Sequence, residues 1–519
     1  MDGSIGTPHG ELADDIRPLV RRIGKPPEAW QRDDLVRVCT EDRIRVVNFH
    51  YPALDEKLKE LRIPVNNRRH LERILAAGER VDGSSLFPKL LDPGESDLYV
   101  VPVYRWAFLN PWAPDELDIV CRFADRDGNP CPRTPDNILA GAAQRLRTEF
   151  HTELTALAEL ELYLILDRPD DRFPGRSQRN YHQTEPYLHG RAIANEFLRL
   201  VSTVSGQVKY GHSEVGYIDR LESDEPELDG RRVEQYELEF DLMPIDDLGC
   251  WLTVARWLIR VTANRHGASV TYLPKLDEGM AGSGLHLHLA LERNGTNVMQ
   301  DENGDLSNDA LGLIGGILRQ ASPLTAFGST VAASYLRLVP GQEAPTRVSW
   351  GRHNRSTLIR IPLSFSSERR MDRTMNPLEE GPYPRGLARP TIEYRSPDGS
   401  AFSLLLLAAV AVCAAEGLSD PASAKWVREH EVTGNLFRDP DAAKGLEPLP
   451  QTAVEAASRL RASRAFFEAR GFPPGLVDIV IDKLEGEEDA GLAAKLQSLP
   501  ASERLAQSRR LMHKDIHKH

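Results

Sequence analysis

The sequence reads Gly282-Ser-Gly-Leu-His-Leu-His-Leu289 across the stretch that decides the fold. Its leucines alternate with the imidazoles of His286 and His288. Successive side chains of a β-strand point to opposite faces, so the pattern predicts a strand whose leucines enter a core while both imidazoles share the other face. Two imidazoles in such a row indicate a site for a metal ion or for phosphate groups.

Three further segments repeat this alternation with carboxylates. A single Glu-x-Glu strand is usually the solvated face of a sheet, and a lone His-x-His strand is as often a surface strand as a ligand site. Several such strands in one chain, however, supply the oxygen and imidazole ligands that Mg²⁺ or Mn²⁺ accepts. The three segments contain Glu159 with Glu161, Glu237 with Glu239, and Glu393 with Arg395.

Guanidinium groups and a loop lie between the second and third of these regions. The Pro340-Gly341 pair predicts a turn, so we expect Glu343 to lie on a loop that can move. Guanidinium groups bind carboxylate and phosphate oxygens through paired hydrogen bonds. Each arginine alone is compatible with an ordinary basic surface, whereas the whole arrangement favours a binding site. The arginines concerned are Arg337, Arg355 and Arg360.

With these motifs in order, the chain resembles the glutamine synthetase family from about residue 35 to about residue 480. Seven signatures of the family occur in the family's order. They are Val81-Asp-Gly-Ser-Ser85 with Ser96-Asp97, Glu159-x-Glu161, His212-Ser-Glu-Val215 with Gln235-x-Glu237, Gly282-Ser-Gly-Leu-His-x-His288, Arg337-Leu-Val-Pro-Gly-x-Glu343, Asn354-Arg-Ser with Ile-Arg-Ile-Pro362, and Ile392-Glu-x-Arg-x-Pro-Asp398.

The resemblance implies an α+β fold and a division into domains. We expect an N-terminal extension over residues 1–34, a small β-grasp-like domain over 35–135, a larger catalytic domain with an antiparallel sheet and helices over 136–484, and a C-terminal tail over 485–519. The resemblance also implies homo-oligomeric rings, decameric or dodecameric, in which the neighbouring subunit contributes the loop bearing Asp82 to each active site.

The resemblance further implies the chemistry of an ATP-dependent ligase. The γ-phosphoryl group of ATP passes to the side chain of glutamate, and an amine or ammonia then attacks the acyl phosphate, while two metal ions and arginines neutralise charge. By match to the family, one Mg²⁺ or Mn²⁺ ion is held by Glu161, Glu214 and Glu237, and the other by Glu159, His286 and Glu393.

The remaining roles follow from the same match. Gly282, His286, Arg337 and Arg395 are expected to bind glutamate, and His288, Arg355 and Arg360 to bind ATP, with Arg355 also catalytic. The closing loop with Glu343 keeps water from the acyl phosphate. The amine pocket, with its general base, is expected to consist of Asp82, Tyr181 and Glu343.

Departures from the family pattern leave the substrate open. Ala281 stands where an Asn is usual, Ala290 where a Ser is usual, and Thr391 where an Arg is common. Three hypotheses remain: a ligase joining glutamate to an organic amine, a true glutamine synthetase, and a catalytically silent structural or regulatory member. The altered pocket favours the first, Asp82 and Glu343 favour the second, and the complete ligand set makes the third the weakest.

Composition sets the broad class. The chain has 519 residues, 41% of them hydrophobic and 27% charged, which is typical of globular proteins of more than one domain. The net charge of −13 argues against a nucleic-acid or anionic-membrane partner. Five scattered cysteines without a Cys-x-x-Cys pair and the lack of a signal-peptide pattern indicate reduced thiols in a cytoplasmic protein.

The chain pattern also predicts individual elements. We expect strands within residues 43–51, 97–103 and 117–123 in a small mixed sheet, and a helix over residues 136–156 at the start of the catalytic domain. The apolar run of residues 401–415 is short for a membrane span and predicts a buried helix. We expect the His- and Lys-rich C-terminus to be frayed. The two long stretches 216–232 and 364–389 are either surface decoration or functional loops that border the site entrance.

Overall fold

The computed structural model of the chain describes residues 12–168, 172–338, 344–364, 370–383, 389–516 and 518–519. Two β-sheets and their surrounding helices make up these residues, which confirms the α+β class. The helices are α1 Pro18–Ile23, α2 Arg32–Glu41, α3 Arg68–Ala77, α4 Gly83–Leu86, α5 Pro135–Glu149, α6 Arg191–Ser205, α7 Ile245–Arg265, α8 Asn308–Arg319, α9 Ala321–Gly328, α10 Ala332–Arg337, α11 Met371–Met375, α12 Ser403–Ser419, α13 Ser423–Glu429, α14 Ala453–Ala462, α15 Arg464–Glu468, α16 Pro474–Glu485, α17 Leu492–Gln497 and α18 Ala501–His513.

The smaller sheet belongs to the N-terminal part of the chain. Its strands are β1 Val46–Pro52, β2 Leu58–Pro64, β3 Glu79–Asp82, β4 Asp97–Leu109 and β5 Glu116–Ala124. They lie in the order β2-β1-β5-β4-β3, with β1 and β5 parallel and the other pairs antiparallel. The predicted small mixed sheet is therefore confirmed. One face packs on α1, α2 and α3, so that Leu19 and Val20 of the predicted extension share a core with Phe49.

The larger sheet carries the alternating motifs of the sequence. Its strands are β6 Glu153–Leu166, β7 Val208–Ile218, β8 Arg232–Phe240, β9 Met243–Pro244, β10 Ser269–Thr271, β11 Leu285–Arg293, β12 Thr296–Asn297, β13 Trp350–Arg352, β14 Ile359–Ile361 and β15 Ile392–Tyr394. The main order is β13-β14-β15-β11-β6-β8-β7, antiparallel except for β13 with β14.

Alternation along these strands separates the core from the site. The leucines of β11 are fully buried, and those of β6 join them in the main hydrophobic core against α7 and α12. The opposite face carries the charged residues. The register places His286 opposite Glu159 and His288 opposite Glu393, so four site residues lie side by side across three strands.

The apolar run is a core helix, as predicted. Helix α12 is buried along nearly its whole length and packs on α5, α8 and α9. Among the described residues no single helix has the length and apolarity of a membrane span, although α12 and α13 together meet the length and composition criteria as a pair bent by 104°. All five cysteines are buried free thiols, in agreement with the sequence prediction.

Two expectations about secondary structure are wrong. The helix predicted over residues 136–156 ends at Glu149, and β6 begins at Glu153. His151 has a φ of 50°, in the left-handed region, which ends the helix and turns the chain into the strand. The C-terminus is not frayed, because His513 and Ile516 are buried against the rest of the chain. The division into domains at residues 35, 136 and 485 stays a prediction.

Candidate active site

A cavity of about 1000 Å³ lies over the charged face of the larger sheet. Strands β6, β7, β8, β11, β14 and β15 each contribute side chains to its walls. It contains every predicted site residue that the structure describes except Asp82. These residues are Glu159, Glu161, Tyr181, Glu214, Glu237, Gly282, His286, His288, Arg337, Arg355, Arg360, Glu393 and Arg395.

Glu159 is the centre of the histidine side of the cavity. Its Oε2 lies 2.7 Å from Nδ1 of His286, and its Oε1 lies 3.0 Å from Nε2 of His288. Burial opposes ionisation of Glu159, but these two hydrogen bonds outweigh it and hold the pKa of the carboxyl well below its usual range. The two imidazoles that were predicted to share a face therefore both contact the carboxylate of Glu159.

Glu393 is held by two guanidinium groups on the neighbouring strands. Arg360 donates from Nη1 to Oε2 at 2.7 Å, and Arg395 donates from Nε to Oε1 at 3.0 Å. Nδ1 of His286 lies 3.8 Å from the same carboxylate. Burial again opposes ionisation, yet the surrounding imidazoles and Arg395 lower the pKa of Glu393. The carboxylate is thus kept charged and fixed in direction.

The second group of carboxylates lies on the other side of Glu159. Nε2 of His212 is 3.2 Å from Glu237, and Nδ1 of His212 is 3.6 Å from Glu214. Glu161 accepts a hydrogen bond at 2.8 Å from Gln235, whose amide also donates to the carbonyl of Gly282 at 2.9 Å. Gln235 therefore links the carboxylate row to the glycine-rich turn.

Burial and the crowding of negative charge raise the pKa values of two carboxyls in this group. Burial is the largest cause for both carboxyls, and neighbouring carboxylates add to it: the pKa of Glu161 rises to about 7 and that of Glu237 to about 8. Burial lowers the pKa of His212, but its contact with Glu237 outweighs this and raises the value to about 9. Such a cluster attracts cations, which would favour the ionised form of each carboxyl.

The donor atoms fit divalent cations. Three groups in the cavity have donor atoms within 4.8 Å of one another: Glu159 with His288 and Glu393, His212 with Glu214 and Glu237, and Glu159 with Glu237 and Glu239. Carboxylate oxygens with one imidazole suit Mg²⁺ or Mn²⁺. The structure thus brings all six predicted metal ligands to one cavity, while their exact partition between two ions stays a prediction.

The turn before β11 comes close to a buried arginine. Arg337 is 5% exposed and donates from Nη1 to the carbonyl of Ser396 at 2.9 Å. A Cβ added at Gly282 would lie 2.7 Å from Cγ of Arg337, and one at Gly284 would lie 2.9 Å from Nε2 of His286. A side chain at either position would therefore force its neighbour to move, while the approach of Gly282 to glutamate stays a prediction.

Aromatic rings border the cavity beside the second carboxylate group. The ring of Tyr181 lies 5.5 Å from that of His212 and 4.2 Å from that of His182, measured between centroids. The ring of Tyr210 lies 5.8 Å from that of His212. Tyr181 is 52% exposed, so the group is open to solvent in the single chain. We call Tyr181, His182, Tyr210 and His212 the aromatic group.

Two predicted residues are not placed in the cavity. Asp82 is exposed at the end of β3, where its carboxylate accepts hydrogen bonds from Ser84 and Ser85, and it does not line the cavity of its own chain. These bonds hold the pKa of Asp82 well below its usual range. Glu343 lies outside the described residues. The roles proposed for both stay predictions.

The structure adds residues that motif matching did not assign. His212 and Glu239 offer donor atoms, and Lys209 donates to Glu239 at 2.6 Å. The signal was present, because His212 and Glu214 share a face of β7, as Glu237 and Glu239 do of β8. The long stretch 216–232 does not line the cavity; it packs on the C-terminal helix instead.

Comparison with known sequences gives matches to one protein family. Residues 131–479 match the family model "Glutamine synthetase, catalytic domain". A glutamine synthetase of Pyrococcus woesei is 28% identical over 434 residues, which cover 83% of this chain and 88% of the relative. One of Pyrococcus horikoshii is 27% identical over 430 residues, covering 83% and 86%.

Solved structures show the same fold. A Plasmodium falciparum glutamine synthetase, determined by electron cryomicroscopy, superposes with a TM-score of 0.70 at 17% identity, covering 91% of this chain and 98% of the other. A structure described as "Apo GmaS without ligand" has a TM-score of 0.68 at 19% identity with the same coverage. These matches support the fold of both sheets, including the N-terminal part outside the family model.

Proposed function

The chain belongs to the glutamine synthetase family, and from this premise we propose that it is an ATP-dependent ligase that joins the side-chain carboxyl of glutamate to an organic amine. The convergence of the predicted metal ligands and arginines on one cavity carries the proposal. A carboxylate accepts an amine only after one oxygen becomes a good leaving group. Phosphorylation by ATP provides that group, and phosphate leaves when the amine nitrogen attacks the acyl carbon.

The carboxylates of the cavity would hold two divalent cations. We assign Glu161, Glu214 and Glu237 to one, and Glu159, His286 and Glu393 to the other. Bound there, Mg²⁺ or Mn²⁺ would neutralise the charge of the nucleotide phosphates during transfer. Arg360 and Arg395 orient Glu393, so they fix the direction of a ligand as well as its charge.

The buried arginines would bind the acid substrate and the transferred phosphoryl group. Arg337 and Arg395 are 5% and 2% exposed, respectively, and both line the cavity, so their charges are poorly screened. Arg355, Arg360 and His288 lie at the same cavity and would contact the ATP phosphates. Gly282 would let the backbone approach glutamate. A side chain at this position would collide with Arg337.

The aromatic group favours an organic amine over ammonia. Alkylammonium ions bind against aromatic faces through cation–π attraction, while nearby carboxylates supply the opposite charge. Tyr181 has an exposed ring at this edge of the cavity, and Asp82 of a neighbouring subunit would supply the opposite charge, because Glu214 and Glu237 are assigned to a cation. Ala281 adds an apolar wall where the family usually has an amide.

Asp82 would complete the pocket from a neighbouring subunit of a ring. Its exposure and its absence from its own cavity support this arrangement. A carboxyl whose pKa lies far below the usual range is a weak base, so Asp82 suits binding of the ammonium ion better than removal of its proton. Glu343 then remains the candidate for the general base.

Ammonia is the second candidate substrate. The curated relatives at 27% and 28% identity are named glutamine synthetases, and they match most of the chain. In that case the aromatic group would lie outside the pocket once a neighbouring subunit covers it. The acid substrate and the nucleotide would be the same.

Release of ADP in the presence of Mg²⁺, ATP, glutamate and each of a panel of amines tests the proposal. The panel includes ammonia, methylamine, ethanolamine, a diamine and a polyamine, and mass spectrometry identifies the γ-glutamyl product. We expect turnover with at least one organic amine at a higher kcat/KM than with ammonia. Turnover with ammonia alone would establish the second candidate, and no glutamate-dependent turnover with any amine would refute both.

A further inference from the structure

The turn that carries Gly282 has no regular secondary structure of its own. We call residues 273–284 the substrate loop; it runs between β10 and β11. Gly279 has a φ of 73°, and Met280, Ala281 and Gly282 line the cavity. A segment without a hydrogen-bond ladder takes its shape from external contacts, so the groups that hold it control the position of its cavity residues.

Gln178, Tyr163 and Gln235 hold Ala281 and Gly282 directly. The C-terminal helix α18 holds the preceding part of the loop through two acidic residues. Arg509 donates from Nε and Nη2 to the two carboxylate oxygens of Asp277, both at 3.0 Å. Arg504 and Ser508 donate to the carboxylate of Glu278 at 3.1 and 2.6 Å. A guanidinium fork on a carboxylate fixes orientation as well as distance, so the first pair defines the direction of the loop.

His513, at the end of α18, ties the same loop to the long stretch 216–232. Its Nε2 donates to the carbonyl of Leu276 at 2.8 Å, which leaves Nδ1 to accept from the hydroxyl of Ser223 at 2.9 Å. Burial lowers the pKa of His513, so the neutral ring with one donor and one acceptor fits both bonds.

Apolar side chains join these three segments beneath the ionic contacts. One hydrophobic cluster, separate from the two main cores, includes Leu221 and Leu228 of the stretch 216–232, Leu273 and Leu276 of the substrate loop, and Ile516. The long stretch and the C-terminus thus form one structural unit with the substrate loop. We define Arg504, Ser508, Arg509 and His513 as the C-terminal clamp.

We propose that the C-terminal clamp, and Arg509 above all, positions the substrate loop for binding of the acid substrate. The inference rests on the proposed function, in which Gly282 faces glutamate. Arg509 does not line the cavity, and it would act through Asp277, five residues before Gly282. A clamp of this kind changes affinity for the acid substrate more than affinity for ATP, because the arginines facing ATP lie on other elements.

The adjacent arginine offers a matched control. Arg510 lies on the same helix and pairs with Asp224, and its side chain is 66% exposed, against 21% for Arg509. Asp224 belongs to the stretch 216–232 and not to the substrate loop. Arg510→Ala therefore removes the same charge from the same helix without releasing the loop.

The test compares Arg509→Ala, Arg509→Lys, Asp277→Asn and Arg510→Ala in the full chain. For Arg509→Ala and Asp277→Asn we expect the KM for glutamate to rise about tenfold, while the KM for ATP changes by less than about twofold. Arg509→Lys should recover part of the loss, and the Arg509→Ala/Asp277→Asn double variant should lose no more than either single variant. Arg510→Ala should match the wild type.

Hydrogen exchange of the amides of residues 276–284 provides a readout that needs no turnover. Exchange should rise about tenfold in Arg509→Ala and stay unchanged in Arg510→Ala, with similar thermal unfolding midpoints for both. Equal exchange in the two variants, or equal rises in both KM values, would overturn the clamp. If the wild type lacks glutamate-dependent turnover, the proposed function fails and the exchange comparison alone decides the clamp.

Discussion

Glu159 is the carboxylate that joins the histidine side of the cavity to the second carboxylate group. It touches both imidazoles and belongs to two of the groups that fit a cation. We expect Glu159→Gln to lower kcat for glutamate-dependent ADP release by more than about 100-fold, because one cation loses a charged ligand.

The same variant should bind Mn²⁺ more weakly in a titration followed by calorimetry. Glu292→Gln, near the other end of the neighbouring strand β11 and outside the cavity, is the matched control. Unchanged turnover in Glu159→Gln would refute the ligand assignment.

Tyr181 tests the choice between amine and ammonia. Removing its ring in Tyr181→Ala should raise the KM for the preferred organic amine by about tenfold, since cation–π attraction contributes on the order of 1 kcal/mol at exposed sites and more once covered. The kcat/KM with ammonia should change by less than about threefold. An equal fall in kcat/KM with the organic amine and with ammonia would indicate that Tyr181 supports the structure of the site and does not recognise the amine.

At the residue scale the sequence predicted which side chains share the charged face better than it predicted their contacts. The alternation of β6 and β11 was enough to put Glu159, Glu161, His286 and His288 on one face. It could not reveal that Gln235 links Glu161 to Gly282, because that contact joins three segments distant in the chain. Charge partners such as Arg360 on Glu393 likewise depend on strand order, which local pattern does not encode.

At the scale of elements, helices α8 and α12 approach unusually closely. A Cβ added at Gly316 would lie 1.9 Å from the carbonyl oxygen of Cys413, and one at Gly417 would lie 1.9 Å from that of Gly312. Gly316→Ala should therefore lower the free energy of unfolding by at least about 3 kcal/mol, since both backbones must separate.

Gly141→Ala is the control for this effect. Gly141 is exposed in α5 with open space around the added methyl group, so alanine should stabilise the protein by about 0.5 to 1 kcal/mol through its helix propensity. Thermal unfolding of both variants checks the two signs. A neutral Gly316→Ala would contradict the close approach of the helices.

Element types were predictable where one period ran for many residues. The buried helix of residues 401–415 and the strands of the small sheet follow from composition and alternation. The helix of residues 136–156 was predicted too long, because the left-handed His151 that ends it gives no strong local signal. The C-terminal residues were misjudged because their polar side chains find partners only on distant loops.

At the scale of the whole molecule, Glu56 links the smaller sheet to helix α12. It lies in the turn between β1 and β2 and accepts a hydrogen bond at 2.8 Å from the backbone N–H of Ser403, the first residue of α12. Burial raises the pKa of Glu56 from its usual 4.5 to about 7. The folded state therefore holds this proton more tightly than the unfolded state does.

The sign of the pH dependence follows from this difference. The stabilising contribution of Glu56 is complete below about pH 4.5 and is lost as the pH rises to about 7. Between pH 5 and pH 8 the free energy of unfolding of the wild type should fall by about 2 kcal/mol more than that of Glu56→Gln. Denaturant titrations at both pH values check this, with Asp55→Asn in the same turn as the control; identical pH dependence in Glu56→Gln and wild type would contradict it.

The family, the fold class and the content of the cavity were all accessible from motifs spread along the chain. Domain interfaces and subunit assembly could not be predicted in this way, because they depend on contacts between surfaces that are distant in the sequence. Asp82 shows this limit: its motif is clear, yet its own chain leaves it away from the cavity.

The charged face of the larger sheet constrains how this sequence can change through evolution. Because the proposed metal ligands come from β6, β7, β8, β11 and β15 at alternating positions, one residue inserted within any of these strands would turn the following side chains toward the opposite face. Insertions and deletions in descendants of this gene should therefore accumulate in connections such as residues 216–232, while strand lengths stay fixed.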